Sequence, residues 1–247
     1  SCLSQRAIRP VKEKEADLPC HFCGLDVPLC DSHIIPESIW RLKDSGTGFL
    51  EVSSVSELPP KKIPKGWYQK LLCQRCEIHF SQFDEYGTTF IKSVNSWQEV
   101  ESTQVKCFEV FDYDYSMLKL FVLSILWRAA VAQREPFTDF SILPARVARL
   151  QEMLQAKNPG ASNEFPLAIF KYADDGRHLN KIVKSPTITK ARDCIRLAVI
   201  QLNEFVCHIN LTERDASAMY EGLWLTDEVP LRIMEVSPER KIAEAER

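Results

Sequence analysis

The chain is 247 residues long, 26% charged and 45% hydrophobic, the balance of an ordinary globular protein with enough residues to bury a core. Its net charge of −3 excludes a general electrostatic affinity for nucleic acid, so any such contact has to be local. The longest apolar run, residues 117–132, is shorter than a membrane span and carries Lys119 and Arg128, which predicts a buried helix and no membrane partner.

Residues 1–18 read as a charged, weakly structured lead-in without an apolar h-region. The nine cysteines are an odd number, and with no signal peptide they predict reduced thiols and a cytoplasmic chain rather than a disulfide framework. Residues 19–100 form the expected chemistry-bearing domain. Cys20 and Cys23 of "CHFC", and Cys73 and Cys76 of "CQRC", are two C-x-x-C knuckles, each spaced to present two thiolates to one tetrahedral ion. A structural zinc is the expectation, with His21 and His79 close enough in sequence to compete as ligands. Such an ion supplies folding free energy to a loop-rich segment and clamps the strand carrying His33 against the helix that opens near Cys76. Cys2, Cys30, Cys107, Cys194 and Cys207 read as unpaired, several as small core residues.

Between the knuckles lies "DSHIIPESIW", residues 31–40. Ile34 and Ile35 are expected to anchor a short strand with His33 at its start, and Pro36 to end the pairing because it lacks an N–H. Residues 42–66 are loop-like, punctuated by Gly46, Gly48, Pro59, Pro60, Pro64 and Gly66. The segment "KKIPKGWYQKLLCQR" (61–75) carries Lys61, Lys62, Lys65, Lys70 and Arg75 and no acid, with Trp67 and Tyr68 interleaved. It reads either as a local contact for a nucleic-acid backbone or as a solvated loop with a packed aromatic pair. After the second knuckle a helix is expected, with Ile78, Phe80, Phe83 and Phe90 as its apolar positions and Gly87 as a break.

Residues 101–247 form the expected second domain, α+β, for targeting, sensing or partner binding. A helix over about 115–134 takes Asp112 or Asp114 as its cap, since a short acceptor satisfies free N–H groups, and Pro136 follows its end. A second helix over about 144–157 starts at Pro144 and stops at "NPG". Residues 164–173 and 193–211 look strand-like, Asp174-Asp175-Gly176 reads as a turn, and His178 and His208 as isolated core or surface residues. The tail "PERKIAEAER" is a short polar helix or a frayed end. No G-x-G-x-x-G, P-loop, G-x-S-x-G or internal repeat occurs.

The order C-x-x-C, then "DSHIIP", then "LLCQRCE" resembles the HNH endonucleases over about residues 19–90. The resemblance implies a zinc-stapled ββα-metal N-terminal domain, which, followed by the mixed α/β region with a long buried helix read above, gives an expected α+β fold. It implies His33 as the general base. It implies Glu77, with help from His79, Asp31 or Ser32, as holder of a catalytic Mg²⁺ or Mn²⁺ beside the structural zinc. Nucleic acid, DNA before RNA, is the implied partner; a second copy or another protein, bound through the C-terminal region, is a separate expectation. Phage defence or mobile-element biology is the implied setting. The sequence departs from the family pattern in three places: Ser32 stands where an Asp usually precedes the base, Glu77 where His or Asn is usual, and Tyr68 or Gln69 where a central Asn is usual. A zinc-stapled module that binds nucleic acid or protein without catalysis is the second reading.

Overall fold

The computed structural model describes residues 18–41, 51–52, 61–62, 66–100, 105–173 and 183–237. Most of the lead-in, Lys65, the Asp174–His178 segment and the tail from residue 238 lie outside these residues. In chain order, β1 (Leu29–His33) precedes α1 (Glu37–Arg41), and β2 (Glu51–Val52) pairs with β3 (Lys61–Lys62). Then β4 (Tyr68–Cys73) runs directly into α2 (Gln74–Lys92). β5 (Gln98–Val100), β6 (Cys107–Val110), α3 (Tyr115–Val131), α4 (Pro144–Ala156) and β7 (Leu167–Tyr172) follow, and then β8 (Thr187–Lys190), β9 (Arg196–Leu202), β10 (Phe205–Asn210) and β11 (Leu231–Val236). The chain is α+β, as expected.

α3 is the centre of the core. Its residues from Leu118 to Ala129 are all buried, which is what a helix apolar around its whole circumference requires. The Asp114 carboxylate caps it by accepting from the Met117 N–H at 2.9 Å. α3 packs against α2 on one side and α4 on another. α4 opens with Pro144 and ends at Lys157, whose positive φ of 52° turns the chain out of the helix at "NPG".

α2 shows two faces. Cys76, Phe80, Phe83, Gly87 and Phe90 recur at helical spacing and are buried. Gly87 does not break the helix, which continues to Lys92. It is small because α3 comes close: a Cβ there would sit 2.2 Å from Phe121 Cγ. Ile78, expected in the core, is 63% exposed because it lies off the buried stripe.

The larger sheet has seven strands in the order β5-β6-β11-β7-β10-β9-β8, all antiparallel except the β11–β7 pair. One cluster of buried residues runs from Cys20 through the helices to Ile233 of β11. The expected boundary near residue 100 falls at the end of β5, inside the seven-stranded sheet. Asn203, in the β9–β10 turn with φ of 58°, donates its side-chain N–H to the Ile39 carbonyl of α1 at 2.9 Å. The sheet and the cysteine-bearing segment therefore share one core.

The β1–β4 hairpin differs from expectation at its far end. His33 is the last residue of β1, not the first, and Ile34 and Ile35 lie beyond the strand, each fully buried. The Ile34 N–H donates to the Trp67 carbonyl at 2.9 Å, which carries the pairing one residue further before Pro36 turns the chain into α1.

Candidate functional site

The four knuckle cysteines converge. Cys73 ends β4 and Cys76 sits in the first turn of α2, so strand and helix together aim both thiols at one point. The turn after Cys20 closes through the Gly24 N–H donating to the Cys20 carbonyl at 2.8 Å, and Gly24 takes a φ of +72° that a side chain would strain. The His21 N–H donates to the Leu71 carbonyl at 3.0 Å and ties this turn to β4. The sulfurs of Cys20, Cys23, Cys73 and Cys76 all lie within 4.8 Å of one another, and the Cys23 and Cys73 sulfurs are 3.9 Å apart. A tetrahedral ion with sulfur at about 2.3 Å demands an S–S edge of about 3.8 Å, so the group is suited to hold a metal such as zinc. His21 and His79 contribute no atom to this group.

The four thiols also perturb one another's ionisation. Burial pushes the Cys20 thiol up, but amide hydrogen bonds from Cys23, Cys73 and Phe22 outweigh it and bring it down to about 7. The Cys73 N–H···Cys20 Sγ distance is 3.3 Å. Burial, then the neighbouring thiols, push Cys76 far up. Four thiols in one place do not all ionise without a positive charge among them.

Next to this cluster, β1 and α2 form a cleft of about 490 Å³. His33 lines it from the strand end, and Glu77, Ser81, Asp84 and Thr88 line it from the second face of α2, at helical spacing. Glu37 and Glu85 add two further acids. One oxygen of Glu77, Oε1, is buried and accepts no hydrogen bond, a costly state for a carboxylate and one that a hard cation relieves.

Asp84 is the member that sequence reading missed, together with its partner Arg128 of α3. Arg128 donates from Nη2 to Asp84 Oδ1 at 2.7 Å and from Nη1 to Oδ2 at 3.0 Å, a bidentate pair with the guanidinium side chain 3% exposed. The same Nη1 donates to the His33 carbonyl at 3.0 Å, and Nη2 to Ser124 Oγ at 3.1 Å. Burial pushes the Asp84 carboxyl above its usual range, with the Arg128 charge and then His33 pulling the other way. The available signal was an arginine inside an apolar helix, since such a charge has to find a buried acid.

The other expected residues lie elsewhere. Ser32 is fully buried and turned into the core, where its Oγ accepts the Leu72 N–H at 3.0 Å. Asp31 and His33 alternate with it, and Asp31 pairs with Lys70 at 3.0 Å on the exposed side of the hairpin. His79 is about 200° around the helix from Glu77. Its Nε2 lies 2.7 Å from the Leu154 carbonyl, and its ring packs against Phe22 and Phe83. Arg75 lines a separate cleft with His79, Phe22 and Lys157. The Gln69 Oε1 accepts the Gln133 N–H at 2.9 Å, and Tyr68 is 40% exposed with its ring 6.0 Å from that of His33. The structure thus brings His33 and Glu77 into one cleft, and leaves Ser32 and His79 out of it. Of the basic segment, Lys61 and Lys62 form β3.

Comparison with protein-family models, with curated proteins and with solved structures returns no match.

Proposed function

We propose that this chain is a metal-dependent endonuclease of the HNH type, hydrolysing phosphodiester bonds of nucleic acid, DNA before RNA. The observation that carries the proposal is that His33 and Glu77, whose Oε1 is buried without a hydrogen bond, line one acidic cleft beside four converging cysteines. In this reading the cysteines hold a structural zinc, which fixes the start of α2 against the hairpin and so fixes the separation of His33 and Glu77.

The His33 imidazole accepts a proton from the attacking water, acting as the general base. The water oxygen forms the new bond to phosphorus as the bond to the leaving oxygen breaks. Glu77 would hold the Mg²⁺ or Mn²⁺, and that ion supplies stabilisation of charge on the phosphate and the leaving oxygen. Arg128 keeps the His33 backbone in place through its carbonyl. Lys61, Lys62, Lys65, Lys70 and Arg75 are the proposed contacts to the backbone of the nucleic acid.

A second reading, a binding module without catalysis, is favoured by one observation. With Ser32 buried and Asp31 engaged by Lys70, β1 offers the cleft no carboxylate beside its histidine. Incubating the chain with supercoiled DNA, single-stranded DNA and RNA in Mg²⁺ or Mn²⁺ separates the two: cleavage supports the nuclease, and binding without cleavage supports the module.

A further inference from the structure

A different cleft, of about 420 Å³, opens at the N-terminal end of α4, lined by Arg146, Arg196, Arg214, Leu143, Leu211 and Glu213 among others. We propose that it is a phosphate-binding site for a nucleotide or for the backbone of a nucleic acid.

Three arginines line it from three separate segments: α4, the first residue of β9, and the loop after β10. They concentrate three positive charges against one acid, in a chain whose net charge is −3. The acid is weak opposition. Glu213 is 93% exposed and 3.8 Å from Arg146 Nη2, so water and salt screen it. Arg196 and Arg214 make no ion pair among the described residues. Such unspent donors in a concave site favour an anion with several oxygens, because each guanidinium offers a planar fork and one carboxylate saturates only one fork.

One of the side chains and the backbone that carries the other two are held in place. The Arg146 guanidinium lies over the Phe165 ring at 5.0 Å. Asn210 braces the loop: its Oδ1 accepts the Thr212 N–H at 2.8 Å and the Thr212 hydroxyl at 2.7 Å, and its Nδ2 donates to the Arg214 carbonyl at 3.0 Å. The Leu211 N–H donates to the Arg196 carbonyl at 2.8 Å, which joins the two arginine-bearing segments. Leu143, 61% exposed, and Leu211 give the cleft an apolar wall next to the charges, suited to the sugar or base attached to a phosphate.

The site needs neither His33 nor a divalent ion, so its test is independent of cleavage. A fluorescent nucleoside 5′-monophosphate and a short duplex oligonucleotide are titrated into the zinc-loaded chain without added Mg²⁺ or Mn²⁺, at low and high salt. At least one probe binds, more weakly as salt rises. Replacing Arg196→Gln and Arg214→Gln together weakens that probe about tenfold, and Glu213→Gln tightens it about twofold. Which probe responds identifies the source of the phosphate. Arg214→Gln alone, on an exposed loop, guards against a folding defect and weakens binding by about threefold. Failure of both probes to bind, or binding unchanged in the arginine variants at unchanged melting temperature, overturns the proposal.

Discussion

The guanidinium of Arg128, deep in α3, donates to the backbone carbonyl of His33 at 3.0 Å while its other edge grips Asp84 of α2. Strand end, cysteine-capped helix and central helix thus meet at one buried cation. Arg128→Met leaves the Asp84 carboxylate with no counter-charge, and unfolding free energy should fall by about 3–5 kcal/mol in urea melts. Asp84→Leu added to Arg128→Met should cost less than the sum of the two single changes, because the double variant removes both charges together. A loss below about 1 kcal/mol in Arg128→Met would show that the pair does not hold the site.

Gly87→Ala sets helix propensity against packing. Alanine favours a helix by about 1 kcal/mol over glycine, yet its Cβ would lie 2.2 Å from Phe121 Cγ. Overpacking of this kind costs about 1–3 kcal/mol or more, so the variant should melt several degrees lower by calorimetry. Phe121→Leu in the same chain should recover part of the loss. A Gly87→Ala protein that melts higher than the parent would mean that α2 and α3 do not approach this closely.

The four-cysteine cluster predicts about one zinc per chain by elemental analysis. Cys76→Ser should abolish it, whereas Cys30→Ser and Cys107→Ser should leave it bound, since neither belongs to the cluster. Chelation should lower the melting temperature, because ion binding and folding of the knuckles are one equilibrium. Metal retained by Cys76→Ser would place the ion elsewhere.

His208 gives a pH dependence. It is buried in the sheet with Nδ1 2.7 Å from the Tyr220 hydroxyl, and burial lowers its pKa from 6.5 to about 4. The unfolded chain therefore binds this proton more readily than the folded one. Stability is complete above pH 6.5 and is lost as pH falls from there towards 4, by up to about 3 kcal/mol. His208→Gln should flatten the slope of stability between pH 6.5 and 4.5 in denaturant titrations. An unchanged slope assigns the proton to another group.

What the sequence revealed depended on how local the cause was. The C-x-x-C pairs were readable because each pair is fixed by a single turn. α3 was readable because its whole surface is apolar and Asp114 stands at its start. The Asp84–Arg128 pair was not, since its members are 44 residues apart and each looks like an ordinary helix charge until the helices pack. Gly87 was read as a break because glycine weakens helices on average, but the neighbouring Phe121 decides its role. His33 was placed in the right strand at the wrong end, because the apolar Ile34-Ile35 pair marks burial and not the strand itself. The order of the seven-stranded sheet joins strands from both halves of the chain, which no local pattern encodes.

The most direct test of the proposed chemistry compares wild type, His33→Ala and Glu77→Gln on supercoiled DNA in Mg²⁺ or Mn²⁺, with zinc content and melting temperature matched. Wild type should nick and linearise the DNA, and each variant should lose at least about a hundredfold in rate while remaining folded and zinc-loaded. Cleavage by His33→Ala at the wild-type rate, or no cleavage of DNA or RNA by the intact wild-type protein, would contradict the account.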